Sequence, residues 1–191
     1  TLFLNLVKVK KLQLLFIFLF LGFVFGQYAK AQNTEWQVIS YSIKFKIKNV
    51  GFNVDGTFAG LAAKIIFDKS KDYGNSIEAA VDAKTINTAN KSRDGHLKTA
   101  DYFDVEKYPK ILLKTNVIAK DKDSSYNGYF QLSMKDKVKD VTIPFTFVTT
   151  GDKSTLKGSF KINRLDYGVG ESSMILSNSV TVFLEVDLIK K

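Results

Sequence analysis

The sequence predicts an all-β fold, eight antiparallel strands with one short helical segment, and three observations predict it. Stretches between Tyr41 and Leu188 alternate apolar and polar residues with a period of two, the spacing of a strand with one dry and one wet face. The turns between them are short and rich in Gly, Asp, Ser and Lys. Only residues 93–109 break the rhythm. Eight such strands sharing one dry face are most economically closed into a barrel, although a two-sheet sandwich carries the same alternation.

In chain order the first feature is a leader. Lys8, Lys10 and Lys11 form a basic head, Leu12 to Phe25 is an almost unbroken apolar run, and Ala29-Lys30-Ala31 offers the small residues a signal peptidase reads. The run is shorter than the roughly 20 residues that span a bilayer. The expectation is therefore a cleavable signal peptide over 1–31, with an uncleaved anchor as the competing reading. Residues 32–191 number about 160, the size of one domain. The mature product would be periplasmic or secreted, with no stable membrane anchor. The sequence has no Cys, and a domain of this size has core enough to do without disulfides.

The first strand places Tyr41, Ile43, Phe45 and Ile47 on one side and Ser42, Lys44, Lys46 and Lys48 on the other. Gly51 begins the turn. Phe52, Val54 and Phe58 follow on the second strand, which Gly56 and Gly60 interrupt as a bulge or barrel corner would, and which resumes through Ile65 and Phe67. The third strand sets Ile77, Ala79, Val81 and Ala83 against Glu78, Asp82 and Lys84. Gly95 to Phe103 then reads as a short helix that Asp94 is placed to cap. Strand geometry resumes after Pro109 with a fourth strand from Ile111 to Ala119 and a fifth from Tyr126 to Met134, the latter grouping Tyr126, Phe130 and Leu132. The sixth groups Val141, Ile143, Phe145 and Phe147 with Pro144 opposed, and the seventh groups Leu156, Phe160 and Ile162. The eighth aligns Val180, Val182, Leu184, Val186 and Leu188 against Thr181, Glu185 and Asp187.

Composition excludes several functions. The formal charge of +9 falls to about +5 without residues 1–31, which hold four Lys and no acid. Lys44, Lys46 and Lys48 sit at alternate positions of one strand, like a solvated face, without the clustered cations and exposed aromatics of a nucleic-acid site. One His and no Cys furnish no zinc set, and the acids follow no calcium-loop spacing. A hydrolase would have to be built on His96 with Ser92 as nucleophile and Asp94, Asp101 or Asp104 nearby. Such a triad would be crowded into one loop, with no nucleophile elbow, whereas triads assemble from distant elements. The preferred reading is that His96 braces its segment locally.

Residues 93–109 hold Arg93-Asp94-Gly95-His96-Leu97, then Asp101-Tyr102-Phe103-Asp104, then Tyr108-Pro109. A second element, Arg164, Asp166, Tyr167, Gly168 and Val169, follows in order. Together they resemble the signature of the YceI-like lipid/polyisoprenoid-binding family, R-D-x-H-L, D-[FY]-F-[DN], [YF]-P and R-x-D-[FY]-G-[IV], over roughly residues 35–189. The resemblance implies a lipocalin-like up-and-down barrel and an apolar long-chain ligand: an isoprenoid quinone, a polyisoprenoid or a fatty-acid derivative. It implies no cofactor. Where the family commonly has Lys/Arg-Gly-[VI]-Thr-Lys in the hairpin between strands five and six, this chain has Lys135-Asp136-Lys137-Val138-Lys139. Asp tolerates a left-handed turn less well than Gly, which leaves that loop's geometry open.

The ligand-lining candidates are the dry-face residues Tyr41, Ile43, Phe45, Ile47, Phe58, Phe130, Phe145, Phe147, Phe160, Val182 and Leu184. An eight-stranded barrel either fills itself with side chains or holds one slender ligand. At roughly 0.8 kcal/mol per buried methylene, against an association cost on the order of 4–15 kcal/mol, a chain of about twelve carbons or more is held without any polar contact. A filled barrel acting through protein contacts is the rival reading. At the rim stand Arg93, Asp94, His96, Asp101, Phe103, Asp104, Arg164 and Asp166. The first account of these is structural, with Arg93 or Arg164 clasping an acid to pin the segment down; the second is contact with a ligand's polar end. Whether the protein works as a monomer or a homodimer is open at this stage.

Overall fold

β-branched and aromatic residues at alternate positions favour extended chain, and eight such segments pair side by side until the last meets the first. The computed structural model describes residues 34–191, and the expected signal peptide lies outside the described residues. The strands are β1 (Glu35–Asn49), β2 (Phe52–Ile66), β3 (Ser76–Asn87), β4 (Lys110–Lys122), β5 (Ser125–Met134), β6 (Lys137–Thr150), β7 (Lys153–Asn163) and β8 (Leu176–Lys190). Each pairs antiparallel with its sequence neighbours, and β8 pairs with β1, closing an up-and-down barrel. Closure settles the choice between barrel and sandwich and leaves no free sheet edge among the described residues.

The register in β1 departs from simple alternation. A bulge between Val38 and Ser40 switches its parity, so Trp36 before it and Ile43, Phe45 and Ile47 after it all face inward. Between the pairs Trp36↔Ile65 and Ile43↔Phe58 the β1–β2 ladder opens. Tyr41 fills that seam: it is 37 % exposed, and its hydroxyl accepts from the amides of Gly60 (2.9 Å) and Leu61 (3.3 Å). Gly60 has φ +70° where the β2–β3 register also shifts, which is the bulge its glycine predicts. Tyr41, expected inside the barrel, therefore belongs to its wall.

One end of the barrel is packed solid. Phe67, wholly buried, stacks on Phe147 at 4.2 Å and meets Tyr126 edge-on at 4.9 Å, while Trp36 donates its indole N–H to the Phe67 carbonyl at 2.8 Å. Phe147, expected to line a ligand, is part of this floor. The opposite end carries the segment between β3 and β4. Its helix, α1 (Lys91–Leu97), starts four residues before the expected Gly95 and gives way to turns before Phe103. The cap is Asn90, whose side chain accepts from the Arg93 amide at 3.0 Å. Asp94 lies in the first turn, where its carboxylate favours the helix start and accepts from the Thr88 amide (2.8 Å) and hydroxyl. In the hairpin between β5 and β6 the left-handed residue is Lys135 (φ 54°) and not Asp136.

Candidate functional site

Above the aromatic floor the inward side chains stop short of filling the barrel. An inner cavity of about 150 Å³ has almost wholly apolar walls, among them Ile43, Phe45, Phe58, Phe130, Phe145, Phe160, Val182 and Leu184. An outer cavity of about 260 Å³ lies under the mouth and adds Ile47, Phe103 and Val180 together with the polar groups of Asn49, Thr88, Arg93, His96 and Arg164. Both have Phe45, Phe58, Met134, Ile162 and Val182 as walls. Phe45, Phe58 and Phe103 form an aromatic row where the two adjoin, with ring centroids 5.6 Å apart in each step. Together the cavities reach the size range of small-molecule sites and share their character, mostly apolar with a few polar groups at one end.

The two sequence motifs meet at this mouth, through backbone and not through ion pairs. The Gly170 amide donates to the Asp101 carbonyl at 2.9 Å. Lys135 Nζ donates to the carbonyls of Ala100 (3.1 Å) and Gly168 (2.9 Å), tying both loops to the hairpin between β5 and β6. Sequence reasoning missed Lys135; its only signal was the unusual hairpin beside it. Tyr167 and Val169 pack with Leu132 and Met134 beneath the loops.

Neither arginine clasps an acid, contrary to the expectation. Arg164, 3 % exposed, begins a 3-10 turn (Arg164–Tyr167) and directs its guanidinium at oxygens that carry no charge. It donates to the carbonyls of Ser177 (3.0 Å), Val169 (2.8 Å) and Glu171 (2.8 Å) and to Asn178 Oδ1 (3.2 Å). Burial lowers its pKa from the usual arginine value, yet an arginine stays protonated in a protein. The mouth thus holds a positive charge with no carboxylate in contact among the described residues. Arg93 donates to the Thr88 hydroxyl (2.7 Å) and carbonyl (2.8 Å), so Thr88 joins it to Asp94. Asp101 is exposed, Asp104 holds a tight turn at φ 48°, and Asp166 accepts from Asn163 Nδ2 at 3.1 Å.

His96 is exposed, lines the outer cavity and meets the Tyr102 ring edge-on at 4.9 Å. Among the described residues no hydroxyl is hydrogen-bonded to its ring, and the Thr99 hydroxyl donates to its backbone carbonyl instead. No group of His, Cys, Asp or Glu among the described residues is arranged to hold a metal ion.

Fold and cavity define a closed β-barrel with an apolar interior and a polar mouth, the build of a small-molecule-binding barrel. The chain belongs to the YceI-like domain family, whose sequence profile matches residues 36–188. A UPF0312 protein of Pseudomonas aeruginosa is 24 % identical over 157 residues, 78 % of this chain and 81 % of that one. Among solved structures, Burkholderia cenocepacia BcnA superposes with a TM-score of 0.74 at 23 % identity, over 77 % of this chain and 95 % of its own. A polyisoprenoid-binding domain from Saccharophagus degradans, implicated in plant cell wall breakdown, superposes at 0.64 and 14 % identity, over 83 % and 99 %. At these identities the superpositions establish the shared fold.

Proposed function

We propose that this chain is an exported carrier that holds one long-chain amphiphile, an isoprenoid quinone, a polyisoprenoid or a fatty-acid derivative, inside the barrel without chemically altering it. The observation that carries the reading is the gradient of polarity from the inner cavity to the outer one. The inner walls offer an apolar tail nothing to hydrogen-bond, while Arg93, His96, Thr88 and Arg164 collect at the mouth. The tail points to the Trp36–Phe67–Phe147 floor and the polar end stays at the mouth. The polyisoprenoid-binding domain of S. degradans, which shares the fold, supports this class of ligand. Export rests on the basic, apolar and small-residue order of residues 8–31, and places the carrier in the periplasm or outside the cell.

Mass spectrometry of an organic extract of the protein purified from its own host tests the proposal, paired with affinities for a series of saturated acyl chains. A bound long-chain species is expected, together with affinity that rises by about fourfold per methylene, the equivalent of roughly 0.8 kcal/mol. An empty extract together with a flat series would overturn it. Intact mass of the same sample checks export: a chain beginning at Gln32 is expected, and one retaining Leu12–Phe25 would contradict it.

A further inference from the structure

The cavity's mouth is flanked by a protruding apolar tip that the barrel does not use. Val50, in the β1–β2 turn, and Phe52, the first residue of β2, are 60 % and 76 % exposed. Met174 and Ile175, in the loop before β8, are fully exposed and 60 % exposed. The Val50 amide donates to the Ile175 carbonyl at 2.7 Å, and Asn49 pairs with both Phe52 and Leu176, so these side chains form one patch. Asn49 and Leu176 also line the outer cavity, which makes the patch continuous with the mouth.

The backbone at the tip is chosen against local stability. Val50 has φ 50° and Gly51 φ 80°, the paired left-handed residues of a tight hairpin turn, where Asn or Asp is the usual partner of Gly. A β-branched residue is strained there. The side chain of this strained, exposed valine therefore contributes little to the fold.

The charge beside the tip indicates the partner. Lys46 and Lys48 project from the outer face of β1 next to the tip, with Lys44 farther down the strand at the level of the inner cavity, and Lys161 of β7 joins their row through Thr181. Lys46 faces Asp55 at 3.6 Å, whereas Lys44, Lys48 and Lys161 have no acidic partner among the described residues. Asp166 and Glu171 are exposed acids in the connection between β7 and β8, and Asp55 on β2 is the exposed partner of Lys46. We propose that this end of the barrel docks reversibly on an anionic bilayer surface, with Val50, Phe52, Met174 and Ile175 dipping into the headgroup boundary and the β1 and β7 lysines lying over the lipid phosphates. Apolar insertion backed by lysines is how peripheral proteins bind such membranes. Docked this way, the mouth of the cavity opens toward the lipid. The proposal does not depend on what the cavity holds.

The test is flotation of residues 32–191, which include the whole closed ladder and core, with vesicles of equal phosphatidylglycerol and phosphatidylcholine and with vesicles of phosphatidylcholine alone. Wild type is expected to float with the anionic vesicles and to release as salt rises from about 50 to 300 mM. The Phe52→Ser, Ile175→Ser double variant is expected to lose at least tenfold in binding while its circular dichroism and melting temperature hold. The Lys44→Gln, Lys48→Gln, Lys161→Gln variant is expected to lose about fivefold per lysine that reaches the surface. Wild type that ignores anionic vesicles, or floats equally well with the serine substitutions, would overturn the proposal. So would a wild-type dimer that the serine substitutions dissociate, because the tip would then be an interface between copies. Failure here leaves the extracted ligand and the acyl-chain series unaffected, so the two readings fail separately.

Discussion

Arg164 shows how a side chain can be singled out in a sequence and still be misassigned. Its motif marks it as special, and pairing with an acid is the ordinary way to bury an arginine. The structure satisfies the guanidinium with main-chain carbonyls of the loop after the 3-10 turn and of the start of β8, and a carbonyl leaves no trace in a sequence. Tyr41 is similar: its alternation is right, but its hydroxyl serves the amides of Gly60 and Leu61 in a seam that periodicity does not reveal. Arg164→Met keeps much of the side chain's bulk and deletes every donor. Leaving several buried carbonyls unpaired costs about 1–3 kcal/mol each where water cannot reach them. A loss of about 3 kcal/mol or more in urea unfolding is expected, and a midpoint equal to wild type would contradict it. His96→Ala, by contrast, removes an edge-on ring contact with Tyr102 and is expected to leave stability within about 1 kcal/mol and acyl-chain affinity within a few-fold. An esterase activity that vanished in that variant would show His96 to be catalytic.

At the scale of elements, the strands were legible because each has one wet and one dry face, and period-two alternation survives even where the ends are misplaced by a residue or two. What the pattern hides is any insertion of one residue. The β1 bulge carries no marker beyond an exposed Ile39, so Trp36 and Ile43 appear to lie on opposite faces when both face inward. The helical segment is legible by its break in rhythm, but Asp94 is an acceptable cap and so points to a start at Gly95. Asn90 is an equally good cap four residues earlier, and the Thr88 contacts of Asp94 decide between them. Asn90→Ala is expected to destabilise by about 1 kcal/mol, the usual value of a helix cap. Asp94→Asn should cost a comparable amount by weakening the Thr88 hydrogen bonds. Chemical denaturation of both variants checks the assignment: a large effect at Asp94 with none at Asn90 would return the cap to the position first expected.

At the scale of the whole molecule, the mouth and the cavity respond to different perturbations. Burial pushes the Tyr167 phenol up to about 12, with Asp166 adding to the shift. The folded state therefore holds this proton more tightly than the unfolded chain, whose tyrosines titrate near 10. The associated stability is complete below about pH 10 and is lost as pH rises toward 12. Alkaline unfolding that moves to higher pH in Tyr167→Phe is the expected result, and an unchanged midpoint would refute it. Cavity against filled core is a separate question, and Phe45 decides it because its ring stands between the inner and outer cavities. A Cβ at Gly56 would overlap that ring, so β2 backs it closely and a larger side chain can expand only into the interior. With the cavities empty, Phe45→Trp has room there, and unfolding free energy is expected to stay within about 1 kcal/mol, since no overpacking arises. The same indole would block the way from mouth to floor. Short chains that sit in the outer cavity should keep their affinity, while the gain per added methylene should stop at the length that reaches the aromatic row. If side-chain motion closes the cavities in solution, the indole overpacks the barrel instead, stability drops by about 1–3 kcal/mol, and no length-dependent step appears. Calorimetry with the acyl series on both proteins separates these outcomes, and the second, joined to an empty extract of wild type, would end the carrier reading.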